Sequence, residues 1–346
     1  MPKPSRRSVI KAAGATALGA GLVAGFADTS GAAAASTPRA NGSGILWRTI
    51  PSTGERVPAM GLGTFMTFDR WDHLPREDLR QVLTDYWNAG GRVVDVSPLY
   101  GLSEKNIGEL GQEMGINRQM FVSNKLWATG PYLNNDSAAV AQREQSLAAL
   151  GRDSLDVVQV HNVVAPEMQI PVLRRWKQEK KIRMLGITHH DQLYYPVIEH
   201  WIRNGDLDFV QIHYSIQYRG VEERLLKLCQ DHGTAVMVHM ALEKARLHEI
   251  VGDRRLPRVA RDIGAESWAQ FFLKYVLAHP AVTVVNVATT NPRHLADNWA
   301  AMRGPLPDRG QRREMIKAVE DIPGFRDLQT RPWYPGKRFD GQVKLG

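Results

Sequence analysis

Between Met60 and Met302 the chain alternates eight short β-like runs with helical patterns, and this alternation constrains the fold more than any other feature. The runs are MGLGTF, RVVDVS, MFVSNKL, LDVVQVH, IRMLGIT, DFVQIHY, AVMVHMA and VTVVNVA, each rich in apolar and β-branched residues. Strands separated by helices pair in parallel through right-handed crossovers. Eight such units predict a closed (β/α)8 barrel, the TIM-barrel class of α/β folds, rather than an open sheet. No GxGxxG follows the first run, which argues against a Rossmann unit. Ahead of it, RTIPSTGERVPAM alternates around Thr53-Gly54 and predicts an N-terminal β-hairpin. The tail GFRDLQTRPWYPGKRFDGQVKLG has no period, yet it contains Trp333 and Tyr334. Disordered tails are poor in aromatics, so it is expected to pack as a loop over one barrel end.

Residues 1–35 have the pattern of an export signal. Lys3, Arg6, Arg7 and Lys11 precede a weakly apolar Gly/Ala-rich run from Ala12 to Ala27, and small residues at Ala33–Ala35 suit cleavage after Ala35. Ser5-Arg6-Arg7-Ser8-Val9-Ile10-Lys11 resembles the twin-arginine translocation motif. The implied partner is the twin-arginine translocase, and the implied location is periplasmic or extracellular. The apolar run is shorter than about 20 residues, so no stable membrane span is expected. Residues 36–48 read as a linker and 49–346 as the barrel with its tail.

The formal net charge of +8 falls to +5 once the leader is set aside. Its lysines and arginines are scattered over helical patterns such as VLRRWKQEKKIR without interleaved aromatics, which speaks against a nucleic-acid surface. The single Cys229 precludes an internal disulfide, and its place in VEERLLKLCQDHG suits a buried thiol better than a nucleophile.

Chemistry concentrates at the C-terminal ends of the runs, which a parallel barrel gathers at one mouth. Asp95, Tyr100, Lys125 and His161 arrive there in order. Hydride addition to a carbonyl builds charge on oxygen, which must be met by a proton or a strong hydrogen bond. A free phenol is a weak acid with a pKa of about 10. A nearby lysine stabilises the phenolate, an aspartate keeps that lysine charged, and an imidazole can orient the substrate oxygen.

On these residues the chain resembles the aldo/keto reductase superfamily from Ile50 to Met302. Asp95-Val-Ser-Pro-Leu-Tyr100, Lys125 in SNKLW and His161 in LDVVQVH are similar to that family's aspartate/tyrosine, lysine and histidine segments. KIRMLGIT, DFVQIHYSIQYR and EERLLKLCQDHG follow in the family's order. The resemblance implies an NAD(P)-dependent oxidoreductase acting on a small-molecule carbonyl or alcohol. Tyr100 would be the acid/base, Asp95 and Lys125 its tuning pair, and His161 the orienting group. It implies a nicotinamide nucleotide, NADP(H) ahead of NAD(H), held by Thr188, His189, Gln211, Tyr214, Thr289, Thr290, Arg293 and Asn298, with Arg293 the nearest candidate for a 2′-phosphate. Phe65, Met66, Trp127, Asn162 and Trp333 would bind substrate in an apolar pocket. His239-Met240-Ala241-Leu242 stands where the family has a Tyr-Ser-Pro-Leu segment, a departure at the pyrophosphate clamp.

Two other readings stay open on the residues alone. His161, His189, His190, His213 and His239 cluster near strand ends, as a metal-dependent barrel hydrolase would require. The altered clamp also suits a reductase-like module that binds cofactor or partner without turnover.

Overall fold

The computed structural model describes residues 44–128 and 135–334. The expected leader, its twin-arginine motif and the last part of the tail lie outside the described residues. A short antiparallel hairpin comes first, β1 (Trp47–Thr49) with β2 (Arg56–Pro58), its turn closed by Ile50 N–H to Glu55 O and by Gly54 at φ +74°. β1 begins at Trp47, two residues ahead of the boundary expected at 49.

Eight strands then close a parallel barrel: β3 (Met60–Gly63), β4 (Val93–Asp95), β5 (Phe121–Leu126), β6 (Leu155–Val160), β7 (Ile182–His189), β8 (Phe209–His213), β9 (Ala235–His239) and β10 (Val282–Val287). β10 pairs back onto β3 through Val285↔Met60 and Val287↔Leu62, which completes the ring. Each predicted run forms its strand.

Helices α1 (Glu77–Asn88), α2 (Ser103–Glu113), α3 (Ser137–Leu150), α4 (Pro166–Gln178), α5 (Tyr195–Asn204) and α6 (Leu225–Asp231) follow β3 to β8 in turn. Between β9 and β10 the chain inserts α7 (Arg246–Val251) and α8 (Arg258–Asp262) before α9 (Trp268–Leu277). α10 (Pro292–Ala300) follows β10, and α11 (Arg309–Glu320) leads to the tail. α11 is polar on most of its surface and starts with a capping box in which Asp308 and Gln311 exchange hydrogen bonds.

Side chains two apart along a strand share a face, so the barrel interior fills in layers. Ile50 and Val57 of the hairpin close the N-terminal end against Val93, Phe121, Val157, Met184, Phe209, Ala235, Met237 and Val284. One step up, the inward residues of five strands turn polar: Asp95, Ser123, Gln159, Gln211 and Asn286, all buried. Gly61 belongs to this layer because a Cβ there would collide with Asn286 Oδ1. The next step carries Lys125, Thr188, His213 and His239 to the C-terminal mouth, with His161 just beyond β6. The larger apolar cluster lies between the strands and the helical ring, with Trp176, Phe271, Phe272 and Tyr275 among its members.

Candidate active site

A cavity of about 1140 Å³ opens at this mouth. One end is lined by Phe65, Met66, Asp95, Tyr100, His161, Asn162 and Trp333, and the other by Thr289, Thr290, Asn291, His294, Asp297 and Asn298.

The four residues singled out for chemistry come together. Lys125 Nζ donates to Asp95 Oδ1 at 2.5 Å and to Val96 O at 2.9 Å, and both charged side chains are almost fully buried. The same ammonium lies 5.4 Å from the centroid of the Tyr100 ring. The aspartate is held by further donors, Ser123 Oγ at 2.9 Å and Gln211 Nε2 at 3.0 Å, while Gln159 bridges Ser123 to Gln211. An isolated buried charge is very costly, and this network is what makes the pair tolerable. Burial lowers the Lys125 pKa while the charge and hydrogen bond of Asp95 oppose it. For Tyr100, burial and then the charge of Asp95 raise the phenol well above 10, so it carries its proton at neutral pH.

The His161 ring meets the Tyr100 ring edge-on at 5.9 Å between centroids. Its Nδ1 lies 3.1 Å from Ser97 Oγ, and that oxygen already accepts from Leu99 N–H. When the serine donates its proton to Nδ1, the tautomer that results leaves Nε2–H as the ring's remaining donor. Burial, followed by the charges of Lys125, His189 and His190, pushes the imidazole down to about 3. It is a neutral donor across the physiological range.

Of the other expected residues, Thr188, Gln211, Thr289, Thr290 and Asn298 line the cavity, as do Phe65, Met66, Asn162 and Trp333. Four do not. Tyr214 is fully buried away from it, its hydroxyl donating to Glu222 and accepting from Arg312. His189 accepts from Asp191 N–H and stacks on Tyr194, so its neighbour His190 lines the cavity instead. Trp127 is fixed through its backbone by the Gln142 amide outside the lining. Arg293 is exposed on the first turn of α10.

The cavity also takes residues to which the resemblance gave no role. His239, the last residue of β9, and Asn286 of β10 line it, and His239 Nε2 and both polar atoms of the Asn286 side chain are buried without a hydrogen-bond partner among the described residues. Lys244 and Tyr334 line it too. His213 is drawn elsewhere, donating from Nε2 to Glu243 Oε1 at 2.6 Å. Among the described residues no group of three or more His, Cys, Asp or Glu side chains is placed to hold a metal ion. Of the histidines at the mouth, His161, His189 and His213 are each drawn to a different partner, Ser97, Asp191 N–H and Glu243. Cys229 is fully buried, and burial raises its thiol to about 12.

Comparison with known proteins matches this architecture to one family. The aldo/keto reductase family profile covers residues 59–313. An NADH-specific methylglyoxal reductase of Escherichia coli (strain K12) is 26% identical over 323 residues, covering 78% of this chain and 98% of that protein. L-galactose dehydrogenase of Arabidopsis thaliana is 24% identical over 317 residues, covering 84% and 97%. Among solved structures, an aldo/keto reductase from Klebsiella pneumoniae in complex with NADP and acetate superposes with a TM-score of 0.65 at 21% identity, covering 84% of this chain and 96% of that one. A holo-form aldo-keto reductase from Bacillus halodurans gives 0.65 at 20% identity, covering 79% and 96%. With the profile spanning most of the barrel, the chain belongs to the aldo/keto reductase family.

Proposed function

We propose that this enzyme interconverts a carbonyl compound and an alcohol with a nicotinamide nucleotide, using Tyr100 as the acid/base. The observation that supports this most is the buried Lys125–Asp95 pair set against the Tyr100 ring at the cavity end that also holds His161. The nucleotide supplies or accepts the hydride when bound. The cavity fits such a group: it runs from Tyr100 to Asn298, and the partnerless Asn286 amide and His239 Nε2 offer donors and acceptors to a carboxamide. Gln211 and Thr188 lie on the same stretch of wall, and Thr289, Thr290 and Asn298 would hold the adenosine end.

In reduction, Tyr100 gives its proton to the substrate oxygen while His161 Nε2–H holds that oxygen in place. The Lys125 ammonium stabilises the phenolate left behind, and Asp95 keeps the ammonium charged. Phe65, Met66, Asn162 and Trp333 enclose the substrate. The pH dependence has a definite sign. Reduction needs the protonated phenol and a neutral His161, both present from pH 5 to 9, so kcat/KM for an uncharged aldehyde should show no titration of either group across that range. Alcohol oxidation needs the phenolate and should rise up to pH 10 without a plateau. A reduction profile with an inflection near 6.5 that vanishes in His161→Gln would contradict this assignment.

The preferred nucleotide on this reading is NADPH, with Arg293 as the guanidinium for the 2′-phosphate. The described lining at the adenosine end contains no lysine or arginine, so Arg293 must turn inward from its exposed position. Arg293→Ala should raise KM for NADPH roughly tenfold, the worth of a charge-assisted contact, and leave KM for NADH within twofold. Equal effects on both nucleotides would remove Arg293 from the site. The primary test is titration of the purified protein with NADPH and NADH by nicotinamide fluorescence, followed by turnover on small and aryl aldehydes. Failure of both nucleotides to bind would overturn the proposal.

Export through the twin-arginine pathway is proposed on Arg6 and Arg7 and the Gly/Ala-rich run that follows. This would carry the folded protein to the periplasm or beyond. Replacing both arginines by lysine should retain a reporter fused to residues 1–35 in the cytoplasm.

A further inference from the structure

The loop after β9 places one amine where the reaction described above has no use for it. Lys244 lines the cavity, yet its Nζ has no carboxylate within ion-pair distance and no hydrogen-bond partner among the described residues. It rests on aromatic faces instead: Trp333 at 2.8 Å to the ring centroid, and Phe65 and Tyr334 at 5.6 Å each. Phe65 in turn packs on Tyr100 at 5.0 Å between centroids, so a single ring separates the amine from the proposed acid.

The loop holds this position by force of backbone. Met240, Glu243, Lys244 and Ala245 all have positive φ (59°, 51°, 51° and 70°), a conformation unfavourable to residues with a Cβ. Glu243 and Arg246 pin it from below as a fully buried ion pair at 2.7 Å, and the Tyr334 N–H donates to Lys244 O from above. The strain is thus over-determined by its surroundings, and its result is a cation aimed into a mostly apolar compartment. Burial, with the charge of Arg246 adding to it and that of Glu243 opposing, pulls the amine down to about 7. An entering anion would stabilise the charge that the cavity walls disfavour.

We propose that Lys244 is a specificity-determining residue that selects carbonyl substrates bearing an anionic group, a carboxylate or phosphate, about one aromatic ring's length from the reacting carbon. This rests on the reading of Tyr100 as the end of the cavity where the carbonyl sits. The phosphates of the nucleotide are the other anions that could reach this amine, and the test separates the two sources.

The experiment measures dissociation constants for benzaldehyde and 4-carboxybenzaldehyde by ligand-observed NMR on wild type, Lys244→Met and Lys244→Arg, with NADPH affinity and turnover followed in parallel. Methionine keeps the apolar contact with the rings and removes only the charge. Wild type should prefer the carboxylated aldehyde by roughly tenfold to a hundredfold, the range of a charge-assisted hydrogen bond. Lys244→Met should bring the ratio to near one, and Lys244→Arg should keep most of it. No preference in wild type overturns the proposal, and so does a ratio that survives in Lys244→Met. A loss in Lys244→Met that falls on NADPH and leaves the aldehyde ratio intact also overturns it, assigning the amine to the nucleotide. If charge-selective binding is present but neither aldehyde turns over, the anion site stands and the reductase reading fails.

Discussion

Tyr100→Phe should lower kcat for aldehyde reduction by roughly 10²- to 10⁴-fold, the usual worth of a positioned general acid, while leaving the melting temperature within a degree or two. Both parts follow from the site. The phenol faces the cavity, its hydroxyl makes no hydrogen bond among the described residues, and the ring contacts with Phe65 and His161 are preserved by phenylalanine. Lys125→Met should behave differently, losing activity and stability together. It strips Asp95 of a 2.5 Å ammonium partner at a site with almost no solvent, and breaking a buried pair costs about 3–5 kcal/mol. Stopped-flow kinetics and thermal denaturation of the two variants separate the roles. If Tyr100→Phe keeps full activity, the acid has been misassigned; if Lys125→Met melts like wild type, Asp95 is not dependent on it.

Arg246→Met is expected to have the largest effect away from the reacting centre. Its guanidinium is fully buried and joins two segments: the loop at Glu243 through a 2.7 Å ion pair and the Glu243 carbonyl at 3.0 Å, and the tail through Leu328 O at 3.1 Å and Arg331 O at 3.3 Å. Glu243 is further held by His213, Ser215 and Gln329. Burial raises its carboxyl, but the hydrogen bonds and charge outweigh this and hold it ionised. Removing the arginine leaves that charge short of a partner, at a cost of about 3–5 kcal/mol, and frees the Trp333 wall of the pocket. Thermal unfolding should shift down by on the order of 10 °C, and KM should rise more than kcat falls. Adding Glu243→Gln should recover part of the stability, because an amide can keep the His213 and Ser215 contacts without a buried charge. A single variant that unfolds as wild type does would show that the network is not what holds loop and tail together.

The barrel was legible in the chain because its cause is periodic. Eight apolar runs followed by amphipathic stretches admit few closures, and the hairpin turn at Gly54 carried its own local signal. α11 was missed because its polar surface gives little apolar periodicity, and α7 and α8 because they are short insertions ahead of α9. The chemical residues were readable for the same reason as the strands: Asp95, Lys125 and His161 sit at fixed steps along them, and alternation decides which way they face. Loop residues have no such rule. Tyr214 and His189 stand one residue past, or at the end of, their strands, where the chain turns. Local partners, Glu222 and Arg312 for one and Asp191 and Tyr194 for the other, decide their direction. Lys244 gave no signal, since its aim depends on four positive φ values within a six-residue stretch. His239 was visible in the sequence as a departure from a family pattern and as one of the strand-end histidines, but the burial of its Nε2 and of the Asn286 amide without partners among the described residues is a property of three dimensions.

The division of labour around the mouth has a consequence for how such a protein diversifies. On the proposed function the proton-handling groups come from β4 to β6 and the residues just beyond them, whereas the walls for the rest of a substrate come largely from the β9 loop and from Trp333 of the tail. The β9 loop and the tail are joined largely through the Arg246 contacts to backbone carbonyls at 328 and 331, which constrain the path of the tail, with the Gln329 side chain adding to them. Residues 332–334 can therefore drift in sequence while the anchor holds, so a lineage can explore new substrates by altering a few residues just past the anchor without re-solving the catalytic problem.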